Sequence, residues 1–512
     1  MDDRIRLTRP KRRTLPDFDG RLRALSSGQS AWKCLRSGGE SALLLGLGPD
    51  DAWPAVGSQV FWLEAPGLQQ KLAQSPPSAW RKVTLEEALA LFPNATVWLY
   101  EPGLQFAPDF WMHVLGSLFA ASLPFRTTEQ KTALLFGDAS ALLHIELLET
   151  LQRAGFTCVE RLPDGWEKHP EHALAEACHD VTPTICLAVN GRGLDSQGRL
   201  FGLLRALSIP CAIWFVDNPW HVLSGIRLPW WKEADLFVTD ASFVPLLRQE
   251  GAKSVHALPL AFAWHMWRSL RPDAGKEAPL FVGRTVFPGR DRYFAACHLP
   301  PTLLEEAKIL LSERKILPDV HWWYNKLRPR FWPGTGARLS GLGAESCSLI
   351  NKTQWIDALS LHGLRLVGDS GWSALLPGKL CEPSVDYYTV LPTYYAQSSC
   401  VLAVTSFLLP HSLSQRHFDV WAAGGFLLSD PTPGLAIFPE ELTRPITLNS
   451  PMELRHMDSA CIAAKETAGL QEAWRTCLWE NHSYLNRWQT ICSVCLNTER
   501  PVSQDPRLAN EK

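Results

Sequence analysis

The sequence predicts an α/β protein with parallel sheets, and three observations lead to this fold class. Apolar strand segments alternate with helical segments between residues 130 and 270, and this order is typical of right-handed crossovers in a parallel sheet. The strand segments are short apolar runs that end in glycine or polar turns, as buried strands do. At 512 residues, the chain is long enough for two or three domains with separate cores.

Composition excludes several classes of protein. The chain has 46% hydrophobic and 20% charged residues, which is ordinary for a globular protein. Its net charge is −2, so no overall field attracts nucleic acid, and we expect no nucleic-acid partner. No apolar run reaches the ~18 residues of a membrane helix, whereas a peripheral membrane contact stays open. The 13 scattered cysteines and the lack of a secretory leader predict a cytoplasmic protein with reduced thiols.

The order of segments divides the chain into three folded modules with a flanking segment at each end. Proline-rich joints near Pro259 and Pro272 favour a hinge between the second and third modules. The predicted parts are a disordered leader (1–38), a degenerate Rossmann-like module (39–128), a second α/β module (129–272), a third α/β module (273–497) and a disordered tail (498–512).

The first module begins like a dinucleotide-binding fold. An apolar strand runs into Gly46-Leu47-Gly48, and the next strand ends at Glu64, which is the Rossmann arrangement for holding a ribose. It also resembles the start of S-adenosylmethionine-dependent methyltransferases, so a methyltransferase activity stays open as an alternative. Because Asp51 replaces the third glycine of the motif, we expect a degenerate structural module, and we predict no cofactor for this protein.

The second module places polar side chains where its buried strands end. Asn190 follows the strand predicted at 184–189, and Asp217 and Asn218 follow the strand predicted at 211–216. Ligands of parallel α/β sheets bind beyond the carboxyl ends of the strands. We therefore take Asn190, Asp217 and Asn218 as candidate site residues of this module. The competing explanation for Asp217 and Asn218 is that they cap a turn before a proline.

The third module carries its clearest local signals between His411 and Asp430. Ser412 is a predicted N-cap, and Gln415 completes a capping box with it. The helix predicted over 413–423 ends at Gly424-Gly425, where a left-handed residue is needed, and a buried strand leads to Asp430. Upstream, a strand predicted at 279–282 is followed by Arg284, and the polar, glycine-rich residues 328–346 predict a loop.

The predicted helix start is a candidate anion site. Free N–H groups at a helix N-terminus bind anions, and Arg416 stands in the first turn, with His411 just before it. Asp419 lies three residues past Arg416 and seven past Ser412, so the three are predicted to share one helix face. A cation for phosphate beside a carboxylate for two hydroxyl groups suits a sugar nucleotide. The alternative is an ion pair between Arg416 and Asp419 on a solvated face.

Four segments of the chain match one family in order. Together they resemble the CgeB/YkvP-type, group 1-like glycosyltransferases, and the resemblance covers roughly residues 184–487. The segments are RHFDVWAAGGFLLSD (416–430), IWFVDNPW (213–220), VDYYTVLPTYYAQSSCVLAVTS (385–406) and HSYLNR (482–487). The resemblance implies a GT-B fold, in which two Rossmann-like domains face each other and the C-terminal one holds the nucleotide-sugar. The second module would then be the acceptor-side domain.

The resemblance also implies roles for the candidate residues. Asp419 holds the position of the second acid of the E-x7-E motif, which binds the nucleotide ribose, whereas Ser412 stands where the family has a glutamate. The implied donor site further includes Arg284, His411, Arg416 and the backbone near Gly424, Gly425 and Asp430. In an inverting reaction a carboxylate takes the acceptor proton, and Asp217 is the first candidate for this catalytic role, with Asn190 and Asn218 beside the acceptor.

The implied activity is transfer of a hexose-type sugar from a nucleotide-sugar to a glycan or protein acceptor that the sequence leaves unidentified. We recognise no paired histidines or Asp-x-Asp cluster for a metal, so we expect a metal-independent reaction in which helix dipoles and basic side chains neutralise the leaving diphosphate. Besides the methyltransferase, a second alternative to the glycosyltransferase stays open. It is a non-catalytic GT-B scaffold that binds a polysaccharide or a protein partner.

Overall fold

A computed structural model of the chain describes residues 14–49, 53–54, 56–57, 59–71, 75–268, 277–457, 465 and 468–496. Within these ranges, a two-stranded hairpin precedes three larger sheets. None of the helices found there is long and apolar enough to cross a membrane. The predicted tail (498–512) and the first 13 residues of the predicted leader lie outside the described residues.

The N-terminal module is a five-stranded sheet with helices beside it. Its elements, with the hairpin first, are β1 (Thr14–Pro16), β2 (Leu22–Ala24), β3 (Trp32–Arg36), β4 (Ser41–Leu45), β5 (Val60–Leu63), β6 (Arg81–Lys82), α1 (Leu85–Leu91), β7 (Ala95–Tyr100) and α2 (Pro108–Ala121). The strand order is β3-β7-β4-β5-β6. Strand β3 is antiparallel to β7, while β4, β5, β6 and β7 pair in parallel.

Residues 14–36 correct the prediction of a disordered leader over 1–38. They form β1, β2 and the edge strand β3. Trp32 in β3 is buried and lies with its ring centroid 5.4 Å from that of Tyr100. The burial of this aromatic pair holds the segment on the sheet, since a large ring removed from water stabilises its contacts. The prediction is therefore wrong for this part of the leader.

The middle domain is a six-stranded sheet in which every strand pairs in parallel. Its elements are β8 (Lys131–Leu134), α3 (His144–Arg153), β9 (Phe156–Val159), α4 (Pro170–Ala177), β10 (Ile185–Val189), α5 (Arg199–Ala206), β11 (Cys211–Phe215), α6 (Pro219–Leu223), β12 (Asp235–Val238), α7 (Phe243–Gln249) and β13 (Ser254–Ala257). The strand order is β13-β12-β11-β10-β8-β9. This order confirms the predicted alternation of strands and helices. Every side chain of β10 and β11 is buried, as the apolar runs in the sequence require.

A close glycine contact joins the N-terminal module to the middle domain. Helix α2 packs on α5, and a Cβ atom added at Gly116 would lie 2.2 Å from the Gly202 carbonyl oxygen. Only glycine permits helix backbones to approach this closely. The N-terminal module is therefore packed directly against the middle domain.

The C-terminal domain is a five-stranded parallel sheet in the order β16-β15-β14-β17-β18. Its elements are β14 (Leu280–Val282), α8 (Arg290–Tyr293), α9 (Pro301–Glu313), α10 (Val320–Leu327), α11 (Thr335–Ser360), β15 (Arg365–Gly368), α12 (Trp372–Leu375), β16 (Cys381–Pro383), α13 (Leu391–Gln397), β17 (Val401–Ala403), α14 (Arg416–Ala422), β18 (Leu427–Ser429), α15 (Glu440–Thr443), α16 (Pro451–His456), α17 (Ala468–Asn481) and α18 (Tyr484–Cys495). Helix α11 occupies much of residues 328–346, so the predicted loop there is wrong.

The carboxyl edges of the middle and C-terminal sheets face each other. Asp240, just after β12, accepts a hydrogen bond of 2.8 Å from the backbone N–H of His411. The Asn218 amide, just after β11, donates to the Leu408 carbonyl oxygen at 3.2 Å. Two Rossmann-like domains that meet across such a seam are the GT-B arrangement, and the predicted fold class is confirmed.

Candidate functional site

A cavity lies between the two facing sheets. Its volume is about 420 Å³. One wall comes from the connection between β8 and α3 together with the ends of β11 and β13, and the other comes from the C-terminal domain. The lining residues are Ala139, Ser140, Ala141, Leu142, Leu143, Glu146, Val216, Leu260, Tyr387, Tyr388 and Gln415. The residue that precedes α14 therefore reaches the interdomain crevice.

Helix α14 begins later than the sequence predicts. It starts at Arg416, and its N-cap residue Gln415 makes no side-chain capping bond. Ser412 is buried in the preceding turn, where its backbone N–H donates to the Leu409 carbonyl oxygen at 3.2 Å. The predicted capping box and the shared helix face of Ser412, Arg416 and Asp419 are therefore wrong. With seven residues, α14 is shorter than the predicted helix, so its N-terminus alone is a weaker anion site than the sequence predicts.

Asp419 lies beneath the cavity rather than on its surface. The side chain is fully buried, and its carboxylate accepts hydrogen bonds from the Ala263 N–H (3.2 Å), the Gln415 amide (3.1 Å) and the Tyr387 hydroxyl. Burial raises the pKa of Asp419 to about 7, although these donors lower it. In this conformation Asp419 positions Gln415 and Tyr387, both of which line the cavity. A direct bond to a ribose would require these contacts to rearrange.

Arg416 reaches the carboxyl edge of the C-terminal sheet. One terminal nitrogen of its guanidinium donates to the Val282 carbonyl oxygen at the end of β14. A Cβ atom at Gly283 would lie 3.2 Å from the same nitrogen, so glycine leaves room for the guanidinium. The Arg416 Nε atom is buried and has no hydrogen-bond partner among the described residues. Arg416 makes no ion pair with any described residue, so the alternative prediction of an ion pair between Arg416 and Asp419 is wrong.

Lys352 is a cation that the sequence analysis missed. It belongs to α11 and lies near Arg416. The pKa of Lys352 is lowered to about 8, mainly by burial and secondly by the charge of Arg416, whereas the charges of Glu345 and Asp369 oppose this shift. Both nearby acids have other partners: Glu345 pairs with Arg290 at 2.6 Å, and Asp369 accepts from the Thr285 N–H and hydroxyl at 2.8 and 2.6 Å.

The Lys352 ammonium group makes no hydrogen bond or ion pair with the residues that the structure describes. Arg416 lies at the end of β14, Lys352 is near enough for the charge of Arg416 to lower its pKa, and neither cation has a carboxylate bonded to it among the described residues. Like charges repel each other, and the repulsion grows in a partly buried setting of low dielectric constant. An anion bound between Lys352 and Arg416 would relieve it.

The remaining predicted donor-side residues lie in three places. Arg284 is exposed just after β14 and makes no side-chain bond with the described residues. His411 is exposed and is tied to the middle domain through its backbone N–H. Asp430 is buried and accepts from the Thr405 N–H and hydroxyl at 2.9 and 2.8 Å, and burial raises the pKa of Asp430 to about 6. Arg284 is the one of these that extends the Lys352 and Arg416 cluster toward solvent.

Gly424 and Gly425 end α14 as the sequence predicts. Gly424 has a φ of +81°, and the Gly425 N–H donates to the Val420 carbonyl oxygen at 2.8 Å, which closes the helix in a Schellman motif. A Cβ atom at Gly425 would lie 2.4 Å from the Tyr395 carbonyl oxygen. The C-terminal cap is confirmed, and it lies at the end of α14 that is opposite to Arg416.

The structure brings the acceptor-side candidates together. The Asn190 side-chain amide donates to the Asp217 carboxylate at 2.8 Å, and its oxygen accepts from the Val216 N–H at 3.0 Å. The Asp217 carboxylate is open to solvent, but the surrounding protein partly desolvates it and so raises its pKa. Asn218 is buried and accepts from the Trp220 N–H at 2.9 Å as the N-cap of α6, which is the capping role that competes with a catalytic one.

Glu146 is a second carboxyl group at the cavity, and no sequence motif marks it. Its side chain is only 3% exposed, and the Tyr388 hydroxyl from the opposite domain lies 3.3 and 3.4 Å from its two oxygens. Burial raises the pKa of Glu146. The helical spacing in α3 makes this position look like a surface glutamate, so only the packing of the two domains reveals it.

The glycine turn of the N-terminal module is occupied by its own side chains. Glu64 is buried and accepts from the Leu47 and Ala65 N–H groups at 2.9 and 2.8 Å, and burial raises the pKa of Glu64 to about 7. A Cβ atom at Gly46 would lie 2.9 Å from the Tyr100 Cβ atom. The acid that would hold a ribose is bonded to the turn itself, which disfavours the methyltransferase alternative.

One family model matches part of the C-terminal half of the chain. Residues 352–493 match a family model described as glycosyl transferase-like, and this segment includes Lys352 and the whole of α14. No curated protein matches the chain. The resemblance to the CgeB/YkvP-type subgroup remains a prediction.

Several solved glycosyltransferase structures are similar at low identity. T4 phage BGT with its UDP-glucose substrate has 8% identity, covers 72% of this chain and 100% of its own, and has a TM-score of 0.36. AviGT4, a glycosyltransferase of avilamycin A biosynthesis, has 13% identity, 72% and 99% coverage, and a TM-score of 0.34. The α,α-trehalose 6-phosphate synthase of Burkholderia multivorans has 10% identity, 73% and 100% coverage, and a TM-score of 0.34.

Proposed function

We propose that this protein transfers a sugar from a nucleotide-sugar to an acceptor bound in the crevice between its middle and C-terminal domains. The observation that carries the proposal is the pair of cations, Lys352 and Arg416, that lacks a carboxylate partner at the end of β14. The pair lies within the segment that matches the glycosyl transferase-like family model. The finer parts of the proposal are a CgeB/YkvP-type enzyme, a hexose as the sugar, and a cytoplasmic location.

The donor diphosphate is assigned to the Lys352 and Arg416 cluster. Lysine and arginine bind phosphate through charge-assisted hydrogen bonds, which are about twice as strong as neutral ones. Arg284, exposed at the end of the same strand, is placed to contact the outer phosphate. In a metal-independent reaction, which we propose, these side chains neutralise the charge that develops on the leaving nucleoside diphosphate.

The acceptor hydroxyl is assigned to the cavity beside Glu146. As its oxygen forms a bond to the anomeric carbon, the bond from that carbon to the diphosphate oxygen breaks, and the hydroxyl proton passes to a carboxylate. Glu146 lines the cavity, whereas Asp217 follows the lining residue Val216. Glu146 is therefore our first candidate for the base of an inverting reaction, and Asp217 becomes the second. A raised pKa brings a carboxylate closer to the pH at which general bases work best.

Calorimetric titration with UDP, GDP and S-adenosylmethionine tests the proposal. We expect UDP or GDP to bind and to bind more weakly to Lys352→Ala and Arg416→Ala variants. Binding of S-adenosylmethionine alone would support the methyltransferase, and binding of no nucleotide would favour the non-catalytic scaffold. A screen of nucleotide-sugars with product analysis then identifies the donor, the acceptor and the stereochemical course.

A further inference from the structure

Three potential metal ligands lie together where α4 begins. The Nδ1 atom of His169 is 3.5 Å and the Nε2 atom of His172 is 3.6 Å from the same carboxylate oxygen of Glu171. All three ligand atoms lie within 4.8 Å of one another. His169 is the N-cap residue of α4, and the other two stand in its first turn. The cluster is thus formed by one short segment and requires no domain movement.

The Glu171 carboxylate is in an unusual position for an exposed helix start. Its side chain is 6% exposed, whereas the two histidine side chains are 50% and 78% exposed. The second oxygen of Glu171 is buried and has no hydrogen-bond partner among the described residues. A buried carboxylate oxygen without a partner costs free energy unless something compensates it. The buried Glu171 carboxylate thus has one oxygen beside two imidazoles and a second oxygen without a partner, an arrangement that a bound cation would stabilise.

The distances fit a tetrahedral transition metal. Zinc bonds to histidine nitrogen and carboxylate oxygen at about 2.0–2.2 Å, so neighbouring tetrahedral ligands lie roughly 3.3–3.5 Å apart. The two distances to Glu171 are close to this value. Two imidazoles and one carboxylate suit Zn²⁺ better than Mg²⁺ or Ca²⁺, which prefer oxygen ligands alone. Three protein ligands leave the fourth position to water.

We propose that His169, Glu171 and His172 form a Zn²⁺ site that is separate from the donor and acceptor sites. The first turn of a helix that follows a parallel strand lies at the carboxyl edge of the sheet, so the site is on the same edge of the middle domain as the cavity loops. A bound ion would fix the connection between β9 (Phe156–Val159) and α4. In the sequence, the only sign of this site is the short H-x-E-H spacing at 169–172, which matches none of the metal motifs considered above.

Titration of the metal-free full-length protein with ZnCl₂, followed by calorimetry, tests this site. We expect one equivalent to bind, and we expect His172→Ala and Glu171→Gln each to weaken the affinity at least tenfold. His298→Ala and Glu176→Gln are matched controls, because both side chains are exposed and Glu176 lies on the same helix; their affinities should be unchanged. Since His172 is 78% exposed, its replacement should not affect folding.

Substitution of Co²⁺ for Zn²⁺ separates this site from the cysteines. We expect the visible d–d bands of nitrogen and oxygen ligation without the intense charge-transfer absorption of a thiolate. Binding that is unchanged in the His169→Ala/His172→Ala double variant, or a thiolate spectrum alone, would overturn the site. Failure to bind any Zn²⁺ would do the same, and none of these outcomes bears on nucleotide binding at Lys352.

Discussion

The glycine turn of the N-terminal module and the end of β14 in the C-terminal domain look alike in sequence but differ in their charges. In both, a short buried strand runs into glycine. At Gly46 the nearby acid, Glu64, accepts from the Leu47 N–H of the turn and from the Ala65 N–H, and Tyr100 fills the space. At Gly283 the nearby cations, Lys352 and Arg416, have no acidic partner among the described residues. The two strand ends therefore differ in whether the charges beside the glycine have partners.

The largest expected effect is at the cavity between the middle and C-terminal domains. Glu146→Gln should lower kcat by about 10²–10⁴, because a positioned base contributes this much, while nucleotide binding is retained. Asp217→Asn is the matched control and should lower kcat far less. Steady-state kinetics with the donor from the nucleotide-sugar screen measure both. A large loss in Asp217→Asn with none in Glu146→Gln would move the catalytic role to Asp217.

The next effect compares the two strand ends directly. Lys352→Ala should weaken UDP or GDP binding at least about tenfold, since a charge-assisted hydrogen bond contributes ~1.5–3 kcal/mol. Lys82→Ala removes an exposed lysine near Glu64 in the N-terminal module and should leave the affinity unchanged. Calorimetry on both variants checks the difference. Equal losses would contradict the assignment of the diphosphate to the C-terminal domain.

A third effect concerns the buried acids of the two regions. Burial raises the pKa of both Glu64 and Asp419 to about 7, so the folded protein holds protons that the unfolded chain releases near pH 4. The free energy of unfolding should therefore fall between about pH 4 and pH 7, by on the order of 1.4 kcal/mol per unit of pKa difference. Glu64→Gln and Asp419→Asn should each flatten this slope in urea unfolding series. An unchanged slope in either variant would show that its acid is ionised when folded.

The smallest effect is expected for the bond that joins the two domains across the cavity. Tyr388→Phe removes a long hydrogen bond of 3.3–3.4 Å to Glu146 and should cost less than about 1 kcal/mol of stability. Because the hydroxyl lowers the pKa of Glu146, its loss should shift the rise of the pH–rate profile to higher pH. A shift to lower pH would exclude Glu146 as the group that titrates.

The apolar central strands of the sheets are predictable from the sequence, whereas the hairpin and edge strand at residues 14–36 and the boundaries around the site are not. Buried parallel strands are continuous apolar runs, so β10, β11 and β17 are recognisable without long-range information. The start of α14 is not recognisable in the same way. The spacing of Ser412 and Gln415 fits a capping box, but Ser412 instead forms a turn with Leu409. Local capping signals compete with turns whose stability depends on tertiary contacts.

Lys352 was missed for a different physical reason. The glycines of residues 334–346 suggested a loop, but they belong to α11 or its N-cap. A Cβ atom at Gly343 would lie 2.2 Å from the Trp323 ring, and one at Gly341 would lie 2.1 Å from the His221 ring. These glycines allow other side chains to pack on the helix, and sequence alone does not distinguish this use from flexibility. Glu146 was missed because its burial depends on Tyr388 from the other domain.

The last helix has a consequence for any movement of the two domains. After crossing from the C-terminal domain, α18 contacts α3 and β11 of the middle domain, and the Arg487 guanidinium donates to the Pro259 and Leu260 carbonyl oxygens at 2.8–3.1 Å. Leu260 also lines the cavity. Any movement of the two domains would therefore have to accommodate both the chain near residue 260 and this returning helix. The helix adds a contact between the middle and C-terminal domains that is separate from the hydrogen bonds across the crevice.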